Sequence, residues 1–282
     1  MKPFLKWAGG KHRLVDRIKA LMPEGGRLIE PFVGSGAVFL STQYDRFLLA
    51  DANLDLINTY RHLQREGSDF VAACRSLFVS ENNTPEGYYQ LRERFNRSRS
   101  VEERAMLFVY LNKHGYNGLC RYNSNGGFNV PFGRYSRPHF PGEEMLSFWR
   151  KVQRAEFTHR DFIETMRSAE PGDVIYCDPP YVPLSATASF TAYSAGGFST
   201  AAQVILAETA RELAERGIPV IVSNHDTALT RQLYAGARRI EAFAVQRNIS
   251  CNPAKRETAR ELLALFGPPT MIFAQPTFPE FA

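Results

Sequence analysis

Apolar residues along this chain recur in two periods, and the order in which the periods alternate predicts the fold. Helical spacing over Arg13–Met22 sets Leu14, Ile18, Leu21 and Met22 on one side. The run Arg27-Leu28-Ile29 then reads as a strand, Ala37–Leu40 as a helix, and Phe47–Ala50 as a second strand ending on Asp51. From Leu54 to about Met145 the alternation stops. Leu54–Glu66, Asp69–Phe78, Gly87–Asn96 and Val101–His114 all carry the helical period. It returns with a helix over Glu143–Ala155, a strand over Glu156–His159, a helix near Ile163–Arg167 and a strand over Asp173–Cys177. A helix over Ala201–Arg216, stopped by Gly217, leads to the buried strand Pro219–Asn224. Helix Thr227–Tyr234 and closing strands Arg239–Val245 and Leu262–Phe266 complete the pattern. This is an α/β protein broken by an inserted, mostly helical module. The expected boundaries are 1–53 and 146–267 for the sheet domain, 54–145 for the insertion and 268–282 for a proline-rich tail.

The strand ends carry the candidate chemistry. Asp178-Pro179-Pro180-Tyr181 follows the Asp173–Cys177 strand. Two consecutive prolines fix their own φ angles and push the preceding acid into an extended backbone. The product is a stiff ledge bearing a carboxylate, carbonyls and an aromatic face. In open α/β sheets ligands bind outside the carboxyl ends of the strands. Such a ledge suits a flat heterocycle with an exocyclic amine, whose two hydrogens the acid and a prolyl carbonyl would accept while Tyr181 stacks on the ring. Glu30-Pro31-Phe32-Val33-Gly34-Ser35-Gly36 joins a strand to a helix without the third glycine of a dinucleotide fingerprint. An acid ahead of Gly-Ser-Gly favours a cationic nucleoside over a phosphate, and Asp51 stands where such folds hold ribose hydroxyls. At the N-terminus, Lys6-Trp7-Ala8-Gly9-Gly10-Lys11 precedes a helix, and glycines there let a ligand approach the backbone.

Charge singles out the insertion. The chain carries a net +5, yet Arg92–Arg137 alone holds nine Lys/Arg against three Asp/Glu. A cationic segment on a near-neutral body points to a polyanion. Within it, Gly115–Asn123 and Gly126–Tyr135 combine Arg, Asn and aromatics around Asn-Gly and Gly-Gly turn signals, with no acid from Lys113 to Phe140. That predicts an irregular β-hairpin equipped to contact base edges, phosphates and gaps in a base stack.

The four motifs occur together and in order, and the chain resembles the DNA adenine-N6 methyltransferases of the Dam type from its first residues to about Leu265. The resemblance implies a Rossmann-like methyltransferase sheet with an inserted DNA-recognition module, S-adenosyl-L-methionine as cofactor, duplex DNA as partner and adenine in GATC as target. It implies Asp178, Pro179, Pro180 and Tyr181 as the catalytic ledge. Cofactor positions are expected at Trp7, Ala8, Gly9, Lys11, Glu30, Pro31, Phe32, Gly34, Ser35, Gly36, Asp51 and Asp178. DNA contacts are expected from Lys6, Arg92, Tyr116, Asn117, Leu119, Arg121, Asn123, Pro131, Arg134 and Tyr135. The chain departs from the family at Cys251-Asn252-Pro253-Ala254-Lys255, where a Ser/Gly/Arg/Lys-rich loop is usual.

The same ledge would hold cytosine N4, and a DNA-binding regulator with a decayed methyltransferase fold is a second alternative. Cys74, Cys120, Cys177 and Cys251 are scattered without metal spacing, so no metal is expected. A cytoplasmic monomer with free thiols, without a membrane span, is the expectation. The Ser/Thr/Ala-rich stretch Val182–Ser199 is expected to cover the ledge.

Overall fold

The structure is a computed structural model and describes residues 1–11, 14–183, 198–246 and 258–268. The described strands form one seven-stranded sheet in the order β3-β2-β1-β4-β5-β7-β6. These are β1 (Arg27–Glu30), β2 (Arg46–Asp51), β3 (Ala155–His159), β4 (Asp173–Cys177), β5 (Val220–His225), β6 (Arg239–Gln246) and β7 (Thr258–Phe266). By packing, the chain divides into two compact units, Met1–Val15 with Val33–Arg160, and Asp16–Phe32 with Asp161–Ala282.

In the first unit β2 runs parallel to β3, in register from Phe47 opposite Ala155 to Asp51 opposite His159. Its helices are α2 (Ala37–Ser41), α3 (Leu54–Glu66), α4 (Ser68–Arg75), α5 (Pro85–Arg97), α6 (Val101–His114) and α7 (Gly142–Lys151). Asn53 caps α3 by accepting from the Leu56 N–H. The apolar face of α3 closes an aromatic core in which Tyr60 stacks on Phe148 at 4.8 Å and Phe4 meets both rings edge-on. The helical segment thus shares a core with two strands. Two helices end earlier than their apolar period predicts. α4 stops at Arg75 because Phe78 turns away to pack against Tyr110, His114 and Phe140. α7 stops at Lys151 because the Gln64 amide donates to the Val152 and Ala155 carbonyls and steers the chain into β3.

In the second unit β1 pairs with β4 and β4 with β5, all parallel, whereas β7 lies antiparallel between β5 and β6. α8 (Phe162–Arg167), α9 (Thr200–Glu215) and α10 (Ala228–Leu233) complete it, and most of α1 (Val15–Leu21) belongs here. The register of β1 on β4 is pinned by Arg27, which donates to both Asp173 oxygens at 3.0 and 2.6 Å. β7 begins four residues earlier than its apolar run predicts. Its opening charges are occupied: Arg260 pairs with Asp226, and Glu261 accepts from Tyr181. Among the described residues no helix is long and apolar enough to cross a membrane.

Candidate active site and nucleic-acid interface

The ledge lies in the second unit, at the end of a strand whose five residues are all buried. Asp178 leaves β4 partly exposed, and the Ser223 hydroxyl on β5 donates to its Oδ1 at 2.8 Å. Ser223 in turn accepts from the buried Tyr176 hydroxyl at 3.1 Å. Burial, with the Asp178 charge beside it, holds the Tyr176 phenol far above its ordinary range, so it stays a donor. Two hydroxyls in series therefore fix the carboxylate's rotamer. The following backbone is fixed as firmly. Gln203 on α9 donates to the Pro180 carbonyl at 2.8 Å, and the Val182 N–H donates to Asn224 at 3.0 Å. The Asn224 amide donates onward to Gln203 and to the Tyr234 hydroxyl. Asn224 is fully buried with its partners in place, the condition under which a polar core group rigidifies its surroundings. Tyr181 donates to Glu261 at 3.1 Å and meets His225 edge-on at 4.8 Å, which sets the plane of its ring.

Ser223, Gln203, Asn224 and Tyr234 were not singled out by sequence. The only signal was a Ser-Asn pair ending an apolar strand. In the same unit the buried Glu30 ends β1 one residue past the Ile29–Ile175 pair, so its carboxylate and the β4 ledge share one end of the sheet. Pro31 is buried beside it, and Phe32 stacks on Phe162 at 5.4 Å. Cys177 is buried and burial pushes its thiol far up, so it is a small strand residue and not a nucleophile.

The glycine loop lies in the first unit. Gly34 and Gly36 adopt φ angles of 47° and 71°, which L side chains rarely take. The Gly34 N–H donates to Asp51 Oδ2 at 3.1 Å, the Asn53 N–H to Asp51 Oδ1 at 2.9 Å, and the Tyr60 hydroxyl to the Gly34 carbonyl at 2.6 Å. Burial raises the Asp51 carboxyl above its ordinary range, offset in part by these N–H groups. Trp7 lies over the loop: a Cβ on Gly34 would stand 2.8 Å from its indole Nε1. Ala8 and Gly9 are exposed, while Lys11 is buried and donates to the Gly9 carbonyl at 2.8 Å. Trp7, Gly34, Ser35, Gly36 and Asp51 are thus gathered at one place. Gly34→Ala is expected to weaken binding of S-adenosylhomocysteine by at least about tenfold, since it combines backbone strain with a clash on Trp7. Calorimetric titration checks this.

The cationic hairpin also belongs to the first unit. It is held by isolated antiparallel bridges, Gly115 with Phe132 and Tyr122 with Phe128, so irregular hairpin is the observed form. Lys6 reaches its base: a Cβ on Gly118 would fall 2.3 Å from the Lys6 Cβ, and Lys6 Nζ sits 4.0 Å from the Tyr135 ring centroid. The buried Asn112 makes this meeting possible. It accepts from the Lys6 N–H and donates to the Lys6 and Gly118 carbonyls, and no sequence pattern marked it. Asn117 takes a left-handed φ of 52° and donates its N–H to the Tyr135 hydroxyl. Tyr116, Asn117, Arg121, Asn123, Pro131 and Arg134 are exposed, and Leu119 is partly so. Arg121 is oriented by Asn129, whose side-chain oxygen and carbonyl both accept from it. Arg92 instead donates to the Val130 carbonyl, and the Asn123 oxygen accepts from Asn125 and Gly127, so these two brace the hairpin.

Below the hairpin, burial and the nearby Lys6 charge lower Lys113 from 10.5 to about 8. Between those values the unfolded chain binds the proton that the folded chain lacks, so this group makes stability rise with pH across that window. Lys113→Met is expected to be more stable than the parent at pH 7, by on the order of 2–3 kcal/mol. The gap should shrink toward pH 10 in thermal melts.

A largely parallel sheet with acids at its strand ends, a proline ledge and a glycine loop defines a methyltransferase of the α/β class. The chain belongs to the D12 class N6 adenine-specific DNA methyltransferase family, whose sequence profile matches residues 7–249. It is 52% identical over 267 residues to the DNA adenine methylase of Escherichia coli (strain K12), covering 95% of this chain and 96% of that one. The Salmonella typhi DNA adenine methylase matches at the same identity and coverage, and that of Vibrio cholerae is 50% identical over 268 residues.

Proposed function

We propose that this adenine-N6 DNA methyltransferase acts on adenine within duplex GATC, turns the target base out of the helix, and uses S-adenosyl-L-methionine as donor. The observation that carries the reading is the ledge: Asp178 oriented by Ser223, beside a proline backbone locked by Gln203 and Asn224.

The residues of the glycine loop fit such a donor. Side chains at Gly34 or Gly36 would crowd Trp7 or Phe148, and the Asp51 carboxylate keeps a lone pair beyond its backbone N–H partners for a ribose hydroxyl. The acidic Glu30 matches a cationic ligand better than a phosphate. When bound, the donor supplies an electrophilic methyl on a sulfonium.

The chain's own residues supply position and charge. An adenine amine is a weak nucleophile because its lone pair is delocalised into the ring. Asp178 and the Pro179 carbonyl accept its two hydrogens, hold the nitrogen closer to tetrahedral and offset the positive charge that develops on it. Pro180 is the less suited carbonyl, since Gln203 already donates to it. Tyr181, its plane set by Glu261 and His225, stacks on the everted ring and recovers part of the few kcal/mol of unstacking. Tyr116, exposed at the hairpin, fills the vacated stack, with Asn117 beside it holding the orphan base. Arg121 reads a guanine edge, Lys6, Leu119 and Pro131 line the base pairs, and Arg134 and Tyr135 position the backbone. The insertion 54–145 is then the recognition module.

Incubation with tritium-labelled S-adenosylmethionine and duplexes differing at one base pair tests the reading. Label on adenine of GATC, and much less on near-cognate sites, is expected. Label on cytosine N4, or none on any duplex, would overturn it.

A further inference from the structure

The first turn of α3 joins two features that the mechanism treats separately. Asn53 donates its backbone N–H to Asp51 Oδ1 at 2.9 Å, and its side-chain amide donates to the Cys120 thiol at 3.2 Å. Two residues on, the buried Asp55 accepts from the Tyr122 hydroxyl at 2.7 Å and from Arg104 at 2.9 and 2.8 Å. Cys120 and Tyr122 flank Arg121 in sequence. Arg121 therefore projects from between two anchors, both fastened to the turn that also holds Asp51.

We propose that Asn53, Asp55, Cys120 and Tyr122 form a strut through which an occupied glycine loop sharpens the reading of DNA by Arg121. The inference rests on the functional reading above, with Asp51 at the cofactor and Arg121 at the DNA. The strut is short and leaves few soft joints. Asn53 is held at its backbone by Asp51 and at its side chain by Leu56 and Cys120. A hydroxyl drawn onto Asp51 restrains the Asn53 backbone N–H, and that restraint passes to Cys120 through an Asn53 side chain that the Leu56 N–H already pins. Asp55 is held in place by the two-pronged Arg104 contact, so the Tyr122 hydroxyl meets a fixed acceptor. Tyr122 meets Phe128 edge-on at 5.6 Å, across the bridge that these two residues form. The strut thus ends in the hairpin itself. None of these four residues needs to touch DNA or cofactor. They are positioning residues.

Coupling between two ligands is reciprocal: whatever factor one adds to the affinity of the other is returned unchanged. The test uses the full chain, a GATC duplex, a duplex altered at one base pair, and S-adenosylhomocysteine as a non-reacting probe. The protein is expected to bind GATC about tenfold tighter with the probe than without, and the probe about tenfold tighter with GATC than without. Cys120→Ala and Tyr122→Phe remove one strut contact each while keeping small or aromatic bulk. In both, the coupling factor should fall toward two or less, while affinity for the probe alone and the circular dichroism spectrum stay as in the parent. A purely structural role would weaken DNA binding equally with and without the probe. Coupling left intact in both folded variants overturns the strut. So does a parent enzyme that methylates GATC yet shows no coupling. A parent that transfers no methyl overturns the reading beneath it instead, so the two failures are told apart.

Discussion

Asp178→Ala is expected to bind a GATC duplex nearly as tightly as the parent while methyl transfer falls by on the order of 10³-fold. The acid's work is confined to the moment when charge builds on the amine, so its loss is a loss of kcat. The ledge does not depend on it for shape. Pro180 and Val182 are held by Gln203 and Asn224 whether or not position 178 carries a carboxylate. Single-turnover methylation beside an equilibrium binding titration separates the two quantities. Appreciable turnover by the variant would place the chemistry elsewhere. Ser223→Ala offers an internal control, because it keeps the acid and removes only the hydroxyl that aims it. An intermediate loss, again in kcat, is the expected result.

Arg121→Ala should lose discrimination at one base pair by about 1–3 kcal/mol, or roughly 5- to 150-fold, with transfer on the cognate duplex persisting. Arg121 is exposed, and its guanidinium is already aimed by Asn129, so little is lost in ordering it on DNA. Comparison of kcat/KM on duplexes altered singly at each position checks this. A uniform fall at every position would make Arg121 a phosphate contact, with a shallower salt dependence.

Local signals made much of this fold legible. The apolar period sets α3 at Leu54–Glu66 and α6 at Val101–His114, and β4 at Asp173–Cys177, residue for residue. In the structure the side chains of Asn53 and Ser100 cap the starts of these two helices. Elements whose ends depend on a distant partner were misjudged. α7 overruns on its own pattern because the residue that stops it, Gln64, lies far back in the chain. β7 looks short because Arg260 and Glu261 read as polar until Asp226 and Tyr181 are seen beside them. The site divides likewise. Acids, glycines and prolines announce themselves through backbone demands. Asn112, Gln203 and Asn224 do not, since a buried amide's purpose is defined only by what it touches. The expectations for most of Val182–Ser199, for Cys251–Lys255 and for the tail lie outside the described residues.

Strand order imposes a schedule on this enzyme. β5 carries Ser223 and Asn224, and its outer edge is covered only by β7, one of the last elements of the chain. While a nascent chain is still short of residue 266, that flank is an open row of backbone donors and acceptors, and the polar pair behind the acid has no wall to press against. Fragments ending before β7 should therefore be inert and prone to clump, although they contain every group that meets the base.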